Sequence, residues 1–177
     1  MEIDVVSTLN YSRPAVFAAM RDQMTALAAY MPNIEQITVE SRDDSTPGEV
    51  RLVNRWQAAR SEVPAVARKF VDPARMFWLD HARWIEAEWR CEWRLEMGFM
   101  AERISCSGVT TYHEVDGGTE TRIKGNLILD LKGFLPGFLL KKAQPAIENF
   151  VLGTVKPNFQ RTSDAVSAYL ESQKEQA

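Results

Sequence analysis

Cysteine and histidine are scarce in this sequence, with two of each in 177 residues. Cys91 and Cys106 are too few for the disulfide framework of a small secreted domain, and together with His81 and His113 they show no metal-ligand spacing. The expectation is two free thiols, no metal, no cofactor and a reducing, cytoplasmic setting. Long apolar runs are also missing: nowhere do about 18 apolar residues follow one another, so no membrane-crossing helix is expected. The start, Met1-Glu2-Ile3-Asp4, lacks the basic residues and apolar stretch of a secretory signal. Nor is there an excess of positive charge. The formal net charge is −3, which argues against a nucleic-acid partner.

What remains is ordinary globular composition, 45% hydrophobic and 25% charged, in a chain long enough for one domain with a sizeable core. No linker interrupts it, so residues 1–177 are read as a single domain.

Glu2 to Asn10 reads as a first strand. Ser12-Arg13-Pro14 then offers an N-cap and a first-turn proline, and Phe17, Met20, Met24, Leu27 and Ala28 recur near helical spacing. One or two short helices are expected there, ending before Pro32. Ile34 to Ser41 and Glu49 to Ala58 follow as strands joined by the turn-rich Asp43 to Gly48, with Val50, Leu52, Asn54 and Trp56 on one face. Pro64 to Val71 reads as a short helix, and Met76 to His81 as a brief strand.

The strongest periodicity begins at Ile85. Ile85, Ala87, Trp89, Cys91, Trp93 and Leu95 alternate with charged residues, the mark of a strand with one buried and one wet face. Ile104, Cys106, Gly108, Thr110 and Tyr112 share the next face, and Ile123, Gly125, Leu127, Leu129 and Leu131 another. A two-residue loop at Gly98-Phe99 would pair Cys91 with Cys106 and Trp89 with Gly108. Asp116-Gly117 suits a type I′ turn and pairs Gly108 with Gly125. Trp89 would then lean over two strands bare of side chains. From Leu135 the pattern turns helical, through Leu139, Ala143, Ile147, Phe150, Val151, Thr154, Asn158, Thr162, Val166 and Tyr169. Pro145 suits the first turn of this helix and Pro157 a kink.

The opening Val5-Val6-Ser7-Thr8-Leu9-Asn10-Tyr11-Ser12-Arg13-Pro14-Ala15-Val16-Phe17 and the closing Leu127-Ile128-Leu129-Asp130-Leu131 strand before a long helix resemble the START-like (SRPBCC) superfamily. It includes polyketide cyclase-like and birch-pollen-allergen-like proteins. The resemblance covers nearly the whole chain. It implies an α+β helix-grip fold: a curved antiparallel sheet of six or seven strands wrapped around a long C-terminal helix, with short helices after the first strand. It also implies an internal apolar pocket of the kind the superfamily uses for lipids, sterols, polyketides and hormones.

On this reading the protein binds or transports a hydrophobic small molecule. Expected ligand-facing residues are Asn54, Trp56, Trp89, Trp93, Cys106, Gly108, Thr110, Tyr112, Gly125 and Leu127 from the sheet, and Phe150 and Thr154 from the helix. Each has a competing role as core or as an internal hydrogen-bonding group. No catalytic residue stands out, because the inward faces show no confident acid, base or histidine; Glu102 has the right parity but sits near a hairpin end, where a solvated rim is expected. A cyclase or dehydratase working in the same cavity is the alternative, and a ligand-free protein-interaction module the third. The apolar segment Phe134 to Leu140 is expected to pack on the sheet rim, with membrane contact as the less favoured option. The oligomeric state is open.

Overall fold

The computed structural model describes residues 1–59, 73–98, 101–130 and 157–175. Their order is β1 (Glu2–Leu9), α1 (Arg13–Asp22), α2 (Met24–Leu27), β2 (Ile34–Asp43), β3 (Glu49–Ala58), β4 (Phe77–Ile85), β5 (Arg90–Met97), β6 (Ile104–Val115), β7 (Gly118–Leu129) and α3 (157–175). The strands form one antiparallel sheet in the order β1-β7-β6-β5-β4-β3-β2. The chain thus builds six neighbouring strands in succession, and β1 joins the far edge beside β7. This is the α+β helix-grip arrangement: short helices after the first strand, seven strands, and a C-terminal helix packed on the sheet.

Local chemistry accounts for these elements. Pro14 lies in the first turn of α1, where its missing amide costs nothing, and Val16, Phe17, Ala19 and Met20 supply the buried stripe. Asp116-Gly117 closes the β6–β7 hairpin with Val115 opposite Gly118, and Gly117 takes the left-handed conformation (φ +79°) that such a turn needs. The described part of α3, about 28 Å long at 1.5 Å per residue, buries Ser163, Ala165 and Val166. Phe159 lies 5.3 Å from the Trp93 ring centroid. Polar contacts tie its outer flanks to the start of the chain: the Tyr11 hydroxyl donates to Ser167 O (3.2 Å) and to Glu171 Oε2 (2.6 Å).

Two expectations need correction. The alternation from Ile85 to Glu96 is not one strand. β4 runs on to Ile85, a 3₁₀ turn occupies Glu86–Glu88, and β5 begins at Arg90. Between them Trp89 sits at φ +48°, a conformation that costs a bulky L-residue roughly 1–2 kcal/mol. It is held there by the Trp89 N–H to Glu86 O bond (3.1 Å), by Trp89 O accepting from Tyr112 N–H (3.0 Å), and by its ring. That ring packs edge-on against Phe17 at 5.2 Å, beneath the Arg13 guanidinium at 4.4 Å. Trp89 therefore clamps α1 to the end of the sheet.

The second correction is the β5–β6 register. Cys91 lies opposite Thr110, not Cys106, a shift of four residues; Leu95 faces Cys106 and Trp93 faces Gly108. The connection is longer than the two-residue loop expected, since β5 ends at Met97 and β6 starts at Ile104. An even shift leaves each side chain on its expected face but changes its neighbour. Gly108 does pair with Gly125. The indole over the two glycines is thus Trp93: a Cβ on Gly108 would meet its Cζ2 at 2.5 Å, and one on Gly125 its Cη2 at 2.8 Å. Cys91 and Cys106 are free and buried. The expected helix at Pro64 to Val71, the Phe134 to Leu140 segment, Leu131, the helix start near Pro145 and the kink before Pro157 lie outside the described residues.

Candidate functional site

The inward face of the sheet is laid out by register. One row across β3, β4, β5, β6 and β7 carries Asn54, Asp80, Leu95, Cys106 and Leu127. The row on one side carries Trp56, Trp78 and Met97, and on the other Leu52, Ala82, Trp93, Gly108 and Gly125. Beyond that come Val50, Trp84, Cys91, Thr110 and Ile123. Large indoles next to glycine and alanine do not tile a flat layer. Between this face, Met20 and Met24 of the short helices, and Asn158, Phe159 and Thr162 of α3 lies a cavity of about 480 Å³.

Of the residues expected to face a ligand, Trp56, Trp93, Cys106, Thr110, Tyr112 and Leu127 line this cavity. Gly108 and Gly125 lie beneath the Trp93 ring, so they shape the wall without forming its surface. Asn54 is buried behind it, 3% exposed, and Trp89 packs on α1. Phe150 and Thr154 lie outside the described residues. Glu102 and His113 are exposed, and His81 points away from the cavity to Glu96 Oε2 at 3.1 Å.

The walls are mostly carbon, and several polar groups on them are satisfied internally. Trp93 Nε1–H donates to Thr110 Oγ1 (3.1 Å), the Tyr112 hydroxyl donates to Met20 Sδ (3.1 Å), and Asn33 Nδ2–H donates to Asn158 Oδ1 (2.7 Å). Burial pushes the Tyr112 hydroxyl and the Cys91 thiol well above their ordinary values, and Cys106 up to about 11. All three are neutral at physiological pH.

The residue that the sequence reading missed is Asp80. It sits in the middle of β4 on the inward face, lines the cavity, and has its Oδ1 shut off from solvent without a hydrogen-bond partner among the described residues. Burial raises its carboxyl from 3.8 to about 7. The Asn54 Oδ1 opposite it, and the Nε1–H groups of Trp56 and Trp84, are likewise buried and unpartnered among the described residues. The signal was present as Trp78, Asp80, Ala82 and Trp84 at period two, within a stretch longer than the brief strand expected. No cluster of three or more His, Cys, Asp or Glu that could hold a metal occurs among the described residues. No helix among them is long and apolar enough to cross a membrane.

No protein-family model and no curated protein sequence matches the chain. Solved structures do. TTHA0849 from Thermus thermophilus aligns at a TM-score of 0.65 and 15% identity, over 96% of this chain and 99% of that one. The Zhui aromatase/cyclase from Streptomyces sp. R1128 gives 0.65 and 14%, over 97% and 93%. Ara h 8.0201 gives 0.59 and 16%, over 97% and 98%. At such identities the likeness speaks for the backbone and not for the chemistry. The chain has a helix-grip fold, shared with these proteins along nearly its full length.

Proposed function

We propose that the protein binds or carries a hydrophobic small molecule, such as a lipid, a sterol, a polyketide or another aromatic compound, in the cavity between sheet and C-terminal helix. The observation that carries this reading is the cavity itself. Its volume of about 480 Å³ falls in the range of roughly 300 to 1,000 Å³ usual for small-molecule sites, and its walls are largely apolar and aromatic. An apolar ligand of matching size would bury its surface against these walls. Native mass spectrometry of protein from its own host tests the reading. A bound small molecule released on denaturation is the expected result. Bare protein, with no thermal stabilisation by any lipid, sterol or polycyclic aromatic, contradicts it.

Asp80 favours a second reading, an enzyme of cyclase or dehydratase type. A carboxyl raised to about 7 inside an apolar pocket has the protonation balance that a general acid or base needs near neutral pH. On that reading Asp80→Asn abolishes turnover and leaves binding intact; on the carrier reading there is no turnover to lose.

A further inference from the structure

Asp80 also bears on what kind of molecule the cavity takes. Charged side chains on the described lining number two, Asp80 and Arg75, and Arg75 is exposed. Among the described residues nothing facing Asp80 neutralises it. From β3 it meets Asn54 and from β5 Leu95. The titratable neighbours among the described residues are Cys91 on β5 and Tyr112 on β6, both kept neutral by burial. Met20 and Met24 from the short helices, and Asn158, Phe159 and Thr162 from α3, bring no charge.

Four of the five tryptophans share this inward face with the carboxyl. Trp78 is two residues before it and Trp84 four after on the same face. Trp56 is opposite Trp78, and Trp93 is opposite Ala82. Trp56 and Trp78 are stacked, with ring centroids 5.5 Å apart and planes at 20°. Indole faces carry negative electrostatic potential and attract cations. A carboxylate on the same face, without a partner among the described residues, is the complement of one chemical group, an ammonium on an otherwise apolar body.

Resting on the ligand-binding reading above, we infer that the cavity selects apolar molecules bearing a basic nitrogen, held by its charge to the Asp80 carboxylate and by its substituents against the surrounding indoles. A hydroxyl could donate to Asp80 Oδ1 as well, but without the opposite charge that offsets burying the carboxylate. The Nε1–H groups of Trp56 and Trp84, without partners among the described residues, can serve an acceptor on either kind of ligand, so they do not discriminate.

A matched series tests this: 2-naphthylmethylamine, 2-naphthylmethanol and 2-naphthoate, titrated calorimetrically into wild type and Asp80→Asn. The amine is expected to bind wild type at least tenfold more tightly than the alcohol at pH 8, with naphthoate the weakest. Its affinity should fall roughly tenfold or more by pH 5.5, because the ammonium must then displace a proton from Asp80. The alcohol should change little over that range. Asp80→Asn should erase the amine preference and its pH dependence while still binding the alcohol. If the alcohol binds wild type and the amine binds no better, or if the preference survives in Asp80→Asn, the inference is overturned and the hydrophobic-ligand reading stands. Absence of binding by all three contradicts both.

Discussion

Replacing Asp80 should make the protein more stable at high pH and have little charge-dependent effect at low pH. The carboxyl titrates at about 7 in the folded chain against an ordinary 3.8, with burial as the cause. Between those values the folded state holds a proton that the unfolded state has released. Stability therefore falls as pH rises from about 4 through 7, and the loss is complete above the folded value. A rise of about three pH units, at about 1.4 kcal/mol each, is about 4 kcal/mol. Water entering the cavity would lower this figure, so it is an upper bound. Urea unfolding of wild type and Asp80→Asn between pH 4 and 8.5 reads it directly. The amide preserves shape, so any pH-independent offset reports packing and hydrogen bonding, whereas the change in the difference with pH reports the charge. Asp80→Asn should gain up to about 4 kcal/mol on wild type between pH 4 and 8. A difference that stays flat across this range refutes the claim that a desolvated carboxylate sits on the cavity wall.

Other consequences follow from the packing. Gly108→Ala should cost about 1–3 kcal/mol in urea unfolding, because the new Cβ would run into Lys124 O and stand 2.7 Å from Gly125 Cα, backbone atoms that cannot step aside. Near-neutral behaviour would show that the β6–β7 contact is looser than described. Trp93→Ala should cost about 3–5 kcal/mol, since it removes the ring over both glycines and the donor to Thr110. A loss under 1 kcal/mol would deny that ring its structural role. At Trp89, glycine should be better tolerated than alanine by about 1 kcal/mol, because only glycine takes φ +48° without strain; equal unfolding midpoints would count against a left-handed Trp89. Cys91 and Cys106 should resist a thiol reagent at pH 8 in the native protein and react once it is unfolded, since burial both shields the thiols and suppresses the thiolates.

The elements were legible where local chemistry decides them. β3 has the limits that its alternating Val50, Leu52, Asn54 and Trp56 suggested, and Asp116-Gly117 fixed both a turn and a register through to the Gly108–Gly125 pair. The reading failed where period two was accidental. Ile85, Ala87, Trp89 and Cys91 keep their alternation across a turn, and no glycine or asparagine marks the left-handed position, which Trp89 holds through its ring contacts instead. The β5–β6 register was out of reach because Gly98-Phe99 imitates a tight hairpin inside a longer connection. Asp80 was missed for a related reason: a lone acid in a brief expected strand looks solvated until that strand is paired with β3 and β5. Six of the expected lining residues needed only face parity, which survives an even register shift.

Whether the space under α3 is a binding site is decided most directly by blocking it. Leu95 lies between Asp80 and Cys106 in the central row, so Leu95→Trp projects an indole into the cavity. Titration of wild type and Leu95→Trp with the apolar fluorophore N-phenyl-1-naphthylamine should show one saturable site in wild type. The variant, verified as folded by circular dichroism, should bind at least tenfold more weakly. Equal binding by the two proteins, or none by wild type, would contradict the account.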